Sequence, residues 1–189
     1  MAIYFISDTH FFHDRDFIWG PRGCGSLQEM HDKIIRAWNG TVQEEDEVYH
    51  LGDFCLGTDQ EKIEELIGSL HGRIHLTIGN HDTPKKVDFY RSQAFAGKIV
   101  EVCYATMIRA GRRHLYLSHY PTIVSDRDTG HRTAVYGLHG HIHTKEIFLE
   151  DNPYLYNVCC DAHDCRPVFL EQVLEDIRYD ERMCRKSLH

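Results

Sequence analysis

Short apolar runs that stop at a small or polar residue recur along this chain, and they set its predicted architecture. Tyr4-Phe5-Ile6 runs into Ser7-Asp8-Thr9-His10, Val48-Tyr49-His50-Leu51 into Gly52-Asp53-Phe54, and Ile74 to Ile78 into Gly79-Asn80-His81-Asp82. Leu115-Tyr116-Leu117 likewise meets Ser118-His119-Tyr120, and Tyr136-Gly137-Leu138 leads to Gly140-His141-Ile142-His143. Runs of this length bounded by turn residues predict buried strands. Helical spacing fills the gaps. Leu27, Met30, Ile34 and Trp38 recur behind a Ser26/Glu29 capping box and stop at Gly40, and Ile63, Leu66, Ile67 and Leu70 follow a second box at Thr58/Glu61. Thr83 and Pro84 offer an N-cap and a first helical residue.

Beyond residue 98 the pattern changes. Ile99 to Tyr104, Thr106 to Arg109 and His114 to Ser118 read as strands, the last two joined by a tight turn at 110–112, and Leu155 to Cys160 and Val168 to Leu170 add two more. A last amphipathic helix carries Val173, Leu174 and Ile177 and frays into Arg182, Arg185 and Lys186. Two aperiodic stretches read as loops near the strand ends: 11–25, with His13, Arg15 and Arg22, and 121–133, with Asp126, Arg127, Asp128 and Arg132.

The strand ends carry the chemistry. A single Asp or His after a strand is ordinarily a turn cap, but the repetition of Asp, Asn and His at successive strand ends points to metal. Asp8 and His10 stand two apart and can face one cation, while Asp53 ends its strand as a carboxylate able to bridge two. The 15 histidines reinforce that reading, since many fall at those ends.

At 189 residues, 42% hydrophobic and 26% charged, the chain fits one globular domain over 1–189. A net charge of -8 and a pI near 6.0 argue against holding long nucleic acid. The 7 cysteines are odd in number and include no C-x-x-C pair, so reduced, mostly buried thiols are expected. The start, Met1-Ala2-Ile3-Tyr4-Phe5-Ile6-Ser7, has no basic leader, its apolar run is too short for a signal sequence, and no 18-residue apolar stretch occurs; the expectation is a soluble cytoplasmic protein with no membrane partner.

The ordered set Asp8-x-His10, Gly52-Asp53, Gly79-Asn80-His81-Asp82, His119 and Gly140-His141-x-His143 resembles the calcineurin-like metallophosphoesterase superfamily over nearly the whole chain. The longer strings Ile6 to His13 and Tyr49 to Phe54 look like its compact, capless bacterial and phage type. The resemblance implies an α/β (α+β) fold, a four-layer αββα sandwich of two mixed sheets flanked by helices, with the metals at strand ends. It further implies that Asp8, His10, Asp53 and His143 bind one metal, and that Asp53, Asn80, His119 and His141 bind a second. His81 looks like the proton donor to the leaving oxygen, oriented by Asp82. His13 and Arg166 are candidate substrate contacts.

The implied activity is hydrolysis of phosphodiesters or phosphomonoesters by a metal-bridging hydroxide, on a small phosphoester substrate. Imidazole, carboxylate and amide ligands suit two divalent or trivalent transition ions, manganese first, with iron, zinc or nickel open. A nuclease of the same superfamily and a non-catalytic metal-binding scaffold are the alternatives; the acidic balance weighs against the first and the complete residue set against the second.

Overall fold

The computed structural model describes residues 1–92, 97–124, 134–149 and 152–186, with side chains described through Asp180. Strands β1 (Ile3–Ile6), β2 (Glu47–His50), β3 (Arg73–Thr77) and β4 (Ile99–Cys103) run parallel in one sheet, with β10 (Val168–Phe169) antiparallel on the free side of β1. The second sheet has the order β5-β6-β7-β9-β8, from Ala105–Ala110, Arg113–Ser118, Val135–His139, Asn152–Asn157 and Phe148–Leu149. There β6, β7 and β9 are parallel and the two outer strands antiparallel. The result is two mixed sheets flanked by helices, the α/β fold class expected.

Alternation along the strands explains the layering, since successive side chains leave opposite faces. Ile6 and Val48 point to one side, where Ile74 and Leu76 join Met30, Ile34 and Trp38 of helix α2 (Leu27–Asn39) and Ile63, Leu66 and Ile67 of α3 (Gln60–Ser69). Met30 and Ile34 are fully buried there, each contributing roughly 1.5–3 kcal/mol relative to exposure. Phe5 points to the other side and meets Leu117, Leu138 and Tyr156 from the second sheet. Helix α5 (Leu170–Lys186) packs on β9, β10 and β1, and its Val173 and Ile177 enter that second core.

Several local expectations are corrected. Helix α1 (Asp16–Trp19) lies inside the stretch read as loop; at four residues it is too short to show a periodic stripe. Ser26 caps α2 as expected, its hydroxyl accepting from Glu29 N, but the Glu29 carboxylate accepts from Gly25 N rather than closing the box on Ser26. Asp59, not Thr58, caps α3, because its carboxylate accepts from Lys62 N. Helix α4 (Pro84–Tyr90) starts at Pro84 with no side-chain cap from Thr83. The strand read at 155–160 is shifted to β9, after which Cys159 keeps only a single bridge to Ser7. The backbone of α5 continues through Lys186 instead of fraying.

Of the loop at 121–133, residues 125–133, with Asp126, Arg127, Asp128 and Arg132, lie outside the described residues. Cys24, Cys55, Cys103, Cys159, Cys160 and Cys165 are free thiols. Among the described residues no helix is long and apolar enough to cross a membrane.

His50, at the end of β2, is wholly buried between Trp38 and Phe54. The Thr9 hydroxyl donates to Phe54 O, so it accepts from His50 Nε2, and His50 Nδ1 has no partner. Burial, then the neighbouring His119, pushes the imidazole pKa down to about 3. Because the unfolded value is about 6.5, the unfolded chain binds more protons between those limits. Stability from this group is therefore complete above about pH 6.5 and lost as pH falls toward 3. In urea titrations of metal-free protein, His50→Phe should flatten the fall in stability across this window by up to one proton's slope, about 1.4 kcal/mol per pH unit.

Candidate metal centre

The expected ligands sit on loops that leave the carboxyl ends of β1, β2, β3, β6 and β7, and backbone pairing draws two of those loops together. Asp8 N donates to Gly52 O, His10 N to Asp53 O and Phe11 N to Phe54 O, while Leu56 N donates back to Phe11 O. At the junction of the sheets, Ser7 N donates to Val158 O and Gly140 N to His119 O, bringing the second sheet's loops to the same place.

Each carboxylate is fixed by one oxygen. Asp8 Oδ2 accepts from the Ser7 hydroxyl at 2.6 Å and from His141 N at 3.0 Å, leaving Oδ1 buried with no partner. Asp53 Oδ1 accepts from His81 N at 2.8 Å, and its Oδ2 lies 3.7 Å from His10 Nε2 and 3.6 Å from His119 Nε2. Around Asp8 Oδ1 stand His143 Nε2 at 3.5 Å and His10 Nε2 at 3.9 Å, with those two nitrogens 3.1 Å apart. On the other side of Asp53, Asn80 Oδ1 is 2.9 Å from both His119 Nε2 and His141 Nδ1. All seven expected ligand residues therefore converge, in two sets that share Asp53.

The donor set fits cations. Donors bound at about 2.0–2.2 Å to one ion stand roughly 3–4 Å from one another, as these do. The orphaned Asp8 Oδ1 is a buried acceptor that a cation would satisfy. Outer contacts also set the tautomers. His119 Nδ1 donates to Leu51 O at 2.9 Å and His143 Nδ1 meets Asp161 Oδ2 at 2.9 Å, so both Nε2 atoms are free to ligate. His10 Nδ1 lies 3.3 Å from His13 Nδ1, and a proton shared there frees His10 Nε2. Burial, then His143, lowers the His10 pKa to about 2, so this ring is a neutral ligand at any working pH.

The backbone is strained at the site. Asp8, His10, Asp53, His141 and His143 all have left-handed φ, from 49° to 72°, a conformation costing roughly 1–2 kcal/mol for most residues. Neighbouring glycines make room for the crowding: a Cβ on Gly79 would fall on the Asp53 carboxylate, and one on Gly140 on Asp8 Oδ2 and the Ser7 hydroxyl.

The remaining candidates are placed differently from one another. The His81 ring is 44% exposed with Nε2 3.9 Å from Asp53 Oδ2, above the metal residues. Asp82 does not reach that ring. Its Oδ2 accepts from Asp53 N at 3.0 Å and Gly79 N at 2.8 Å, which makes it a brace for the two ligand loops and corrects the role expected of it. His13 is half-buried beside His10 and His81. Arg166 is exposed, and its guanidinium takes no part in the hydrogen bonds around the metal residues.

Sequence reading placed Arg22 in a loop near the strand ends but did not find the contacts it makes there. Arg22, buried, donates to Asp8 O at 2.7 Å, to Thr9 O at 3.0 Å and by two nitrogens to Asp161, which in turn holds His143. Burial works to raise the Asp161 pKa, but the bonds to His143 and Arg22 hold it well below the usual carboxylate range. The same bond, with Asp8, outweighs burial and raises that of His143. These partners lie 139 and 18 positions apart, so no local spacing signals them.

Two mixed sheets with carboxylate, imidazole and amide donors gathered at the strand ends define a metal-dependent phosphoesterase. The family pattern for the calcineurin-like phosphoesterase superfamily domain matches residues 1–160, and the chain belongs to that superfamily. It is 30% identical over 192 residues to the Gene 66 protein of Mycobacterium phage D29, covering 88% of this chain and 92% of that one. The Gene 66 protein of Mycobacterium phage L5 is 31% identical over 164 residues, covering 76% and 78%. The uncharacterized protein MJ1445 of Methanocaldococcus jannaschii is 41% identical over 81 residues, an alignment spanning 42% of this chain and 46% of that protein, less than half of its length. A solved structure of a protein of unknown function from Aquifex aeolicus, AQ665, superposes with a TM-score of 0.66 at 22% identity, over 92% of this chain and 98% of that one, and so shares its fold.

Asp161 gives the site its first test. Asp161→Ala should weaken metal binding roughly 10–100-fold, as loss of an outer partner does, measured by competition with a chromophoric chelator. Asp161→Asn, which keeps an oxygen toward His143 and Arg22 without the charge, should lose less.

Proposed function

We propose that this chain is a dinuclear metallophosphoesterase that hydrolyses small phosphodiesters and phosphomonoesters, working as one domain over 1–189 in the cytoplasm, with manganese in both positions. The observation that carries this reading is the shared Asp53 Oδ2, which faces His10 Nε2 and His119 Nε2 at nearly equal distances. Asp8, His10, Asp53 and His143 would hold one ion and Asp53, Asn80, His119 and His141 the other. Two cations held there would supply a nucleophile at neutral pH and neutralise charge on the phosphoryl oxygens.

The chain's own residues do the rest. Asp53 would serve both sets, with Asp82 bracing its backbone and His81 N holding its second oxygen. The exposed His81 ring, with Nε2 3.9 Å from Asp53 Oδ2, would give a proton to the departing oxygen. Asp53 Oδ2, rather than Asp82, is the carboxylate oxygen beside that ring. A nuclease reading draws less support, because the net charge of -8 opposes retention of a long polyanion.

Elemental analysis of protein loaded with manganese should give two ions per chain, and Asp53→Asn should bind fewer and lose activity more than His13→Ala. One ion per chain in fully active protein would defeat the dinuclear reading. For His81→Ala, the loss on esters with alkyl or ribose leaving groups should reach about 10²–10⁴-fold. Nitrophenyl esters, whose leaving anion needs no proton, should lose far less at unchanged metal content; equal losses would leave His81 a positioning residue.

A further inference from the structure

Two aromatic rings stand in solvent at the two ends of the metal centre. Phe17 is 65% exposed and Tyr120 50% exposed. Phe17 packs edge-on against His13, centroids 5.8 Å apart at 89°, and His13 adjoins His10 and His81. Tyr120 packs edge-on against His141 at 4.7 Å and His119 at 5.1 Å. Among the described residues these are the exposed aromatic rings in contact with the histidines of the site. One belongs through His13 to the His10 side of Asp53 and the other to the His119 side.

The backbone that carries each ring is held in place. Phe17 sits in α1, whose neighbour Ile18 is buried in the first core, and its N–H donates to Asp16 Oδ1. Tyr120 is held through its carbonyl, which accepts from the Ser118 hydroxyl at 2.8 Å and the Thr122 hydroxyl at 3.0 Å. Edge-on contact with the histidines leaves ring surface open to solvent, and a large aromatic ring exposed beside a site offers a stacking platform. The net charge of -8 opposes a long polyanion, while a short diester with planar groups on both arms suits the two rings.

On the phosphoesterase reading above, we propose that the substrate is a nucleotide phosphodiester carrying a nucleobase on each arm, one stacked on Phe17 and the other on Tyr120. The platforms act on binding, so they raise kcat/KM mainly through KM. Base stacking on an aromatic side chain, at about 1–3 kcal/mol, corresponds to roughly 5–150-fold per base.

Three diesters with the same alkyl chemistry at phosphorus test this: ribose 5-(methyl phosphate), adenosine 5′-(methyl phosphate) and a dinucleoside monophosphate. Wild-type kcat/KM should rise at each step, by roughly 5-fold or more. Phe17→Ala and Tyr120→Ala should each remove about one step, whereas Tyr120→Phe, which keeps the ring, should preserve the series. Calorimetry on the manganese-loaded protein should show AMP binding tighter than ribose 5-phosphate by a similar factor. Equal wild-type rates across the three esters, or variants that lower all three alike, would overturn the stacking proposal and leave the phosphoesterase reading standing. Hydrolysis of none of them, or of nitrophenyl esters, by protein with both ions bound would overturn both.

Discussion

Everything at the site depends on one carboxylate having two different oxygens. Asp53 Oδ1 is tied to the backbone of His81, so Oδ2 has a fixed direction, and that direction places it between two nitrogen-bearing groups. Without the tie the carboxylate would rotate toward whichever imidazole carried a proton. The Asp82 brace on Asp53 N and Gly79 N serves the same end, holding the loops after β2 and β3 in register so that Asn80 and Asp53 reach the same space. Asp8 repeats the device on the neighbouring strand: Ser7 and His141 N fix Oδ2, and Oδ1 is left for a ligand.

Such an arrangement is costly before any metal binds. Five ligand residues adopt left-handed backbone, Asp8 Oδ1 is buried and unpaired, and three imidazoles crowd two carboxylates. Strain of this kind persists only where the surroundings over-determine it. Here they do, because the backbone pairing of the loops after β1 and β2, the buried Arg22 against two carbonyls and Asp161, and the two cores on either face of the first sheet all hold the ends of the strands still. The preorganisation is what lets a bound cation find its ligands without reordering the chain.

The outward-facing groups contrast with this rigidity. His81, His13, Phe17 and Tyr120 line the rim and lack the dense bonding of the residues below them. Chemistry that touches a varied substrate belongs at such positions, while metal binding belongs to the strained floor. Asp82, expected to orient His81, instead braces the backbone of Asp53 and Gly79.

The sequence by itself determined which residues would meet. Strand-end stretches rich in Asp, Asn and His close the apolar runs, and a strand in a parallel sheet delivers its carboxyl end to a common edge; which of those residues form the set Asp8, His10, Asp53, Asn80, His119, His141 and His143 came from the family resemblance. The helix α2 was equally legible from Ser26, its apolar spacing and Gly40. Tertiary structure alone decided what braces them: Arg22 with Asp161, Asp82 with the backbone of Asp53, and Thr9 with His50 are contacts between distant loops. It also decided the cap at Asp59 and the single turn of α1, where several residues of similar propensity compete and packing selects among them. Periodicity reports which way a side chain leaves its own element; which partner it meets there depends on how the loops of other elements close over it, and that information is not local.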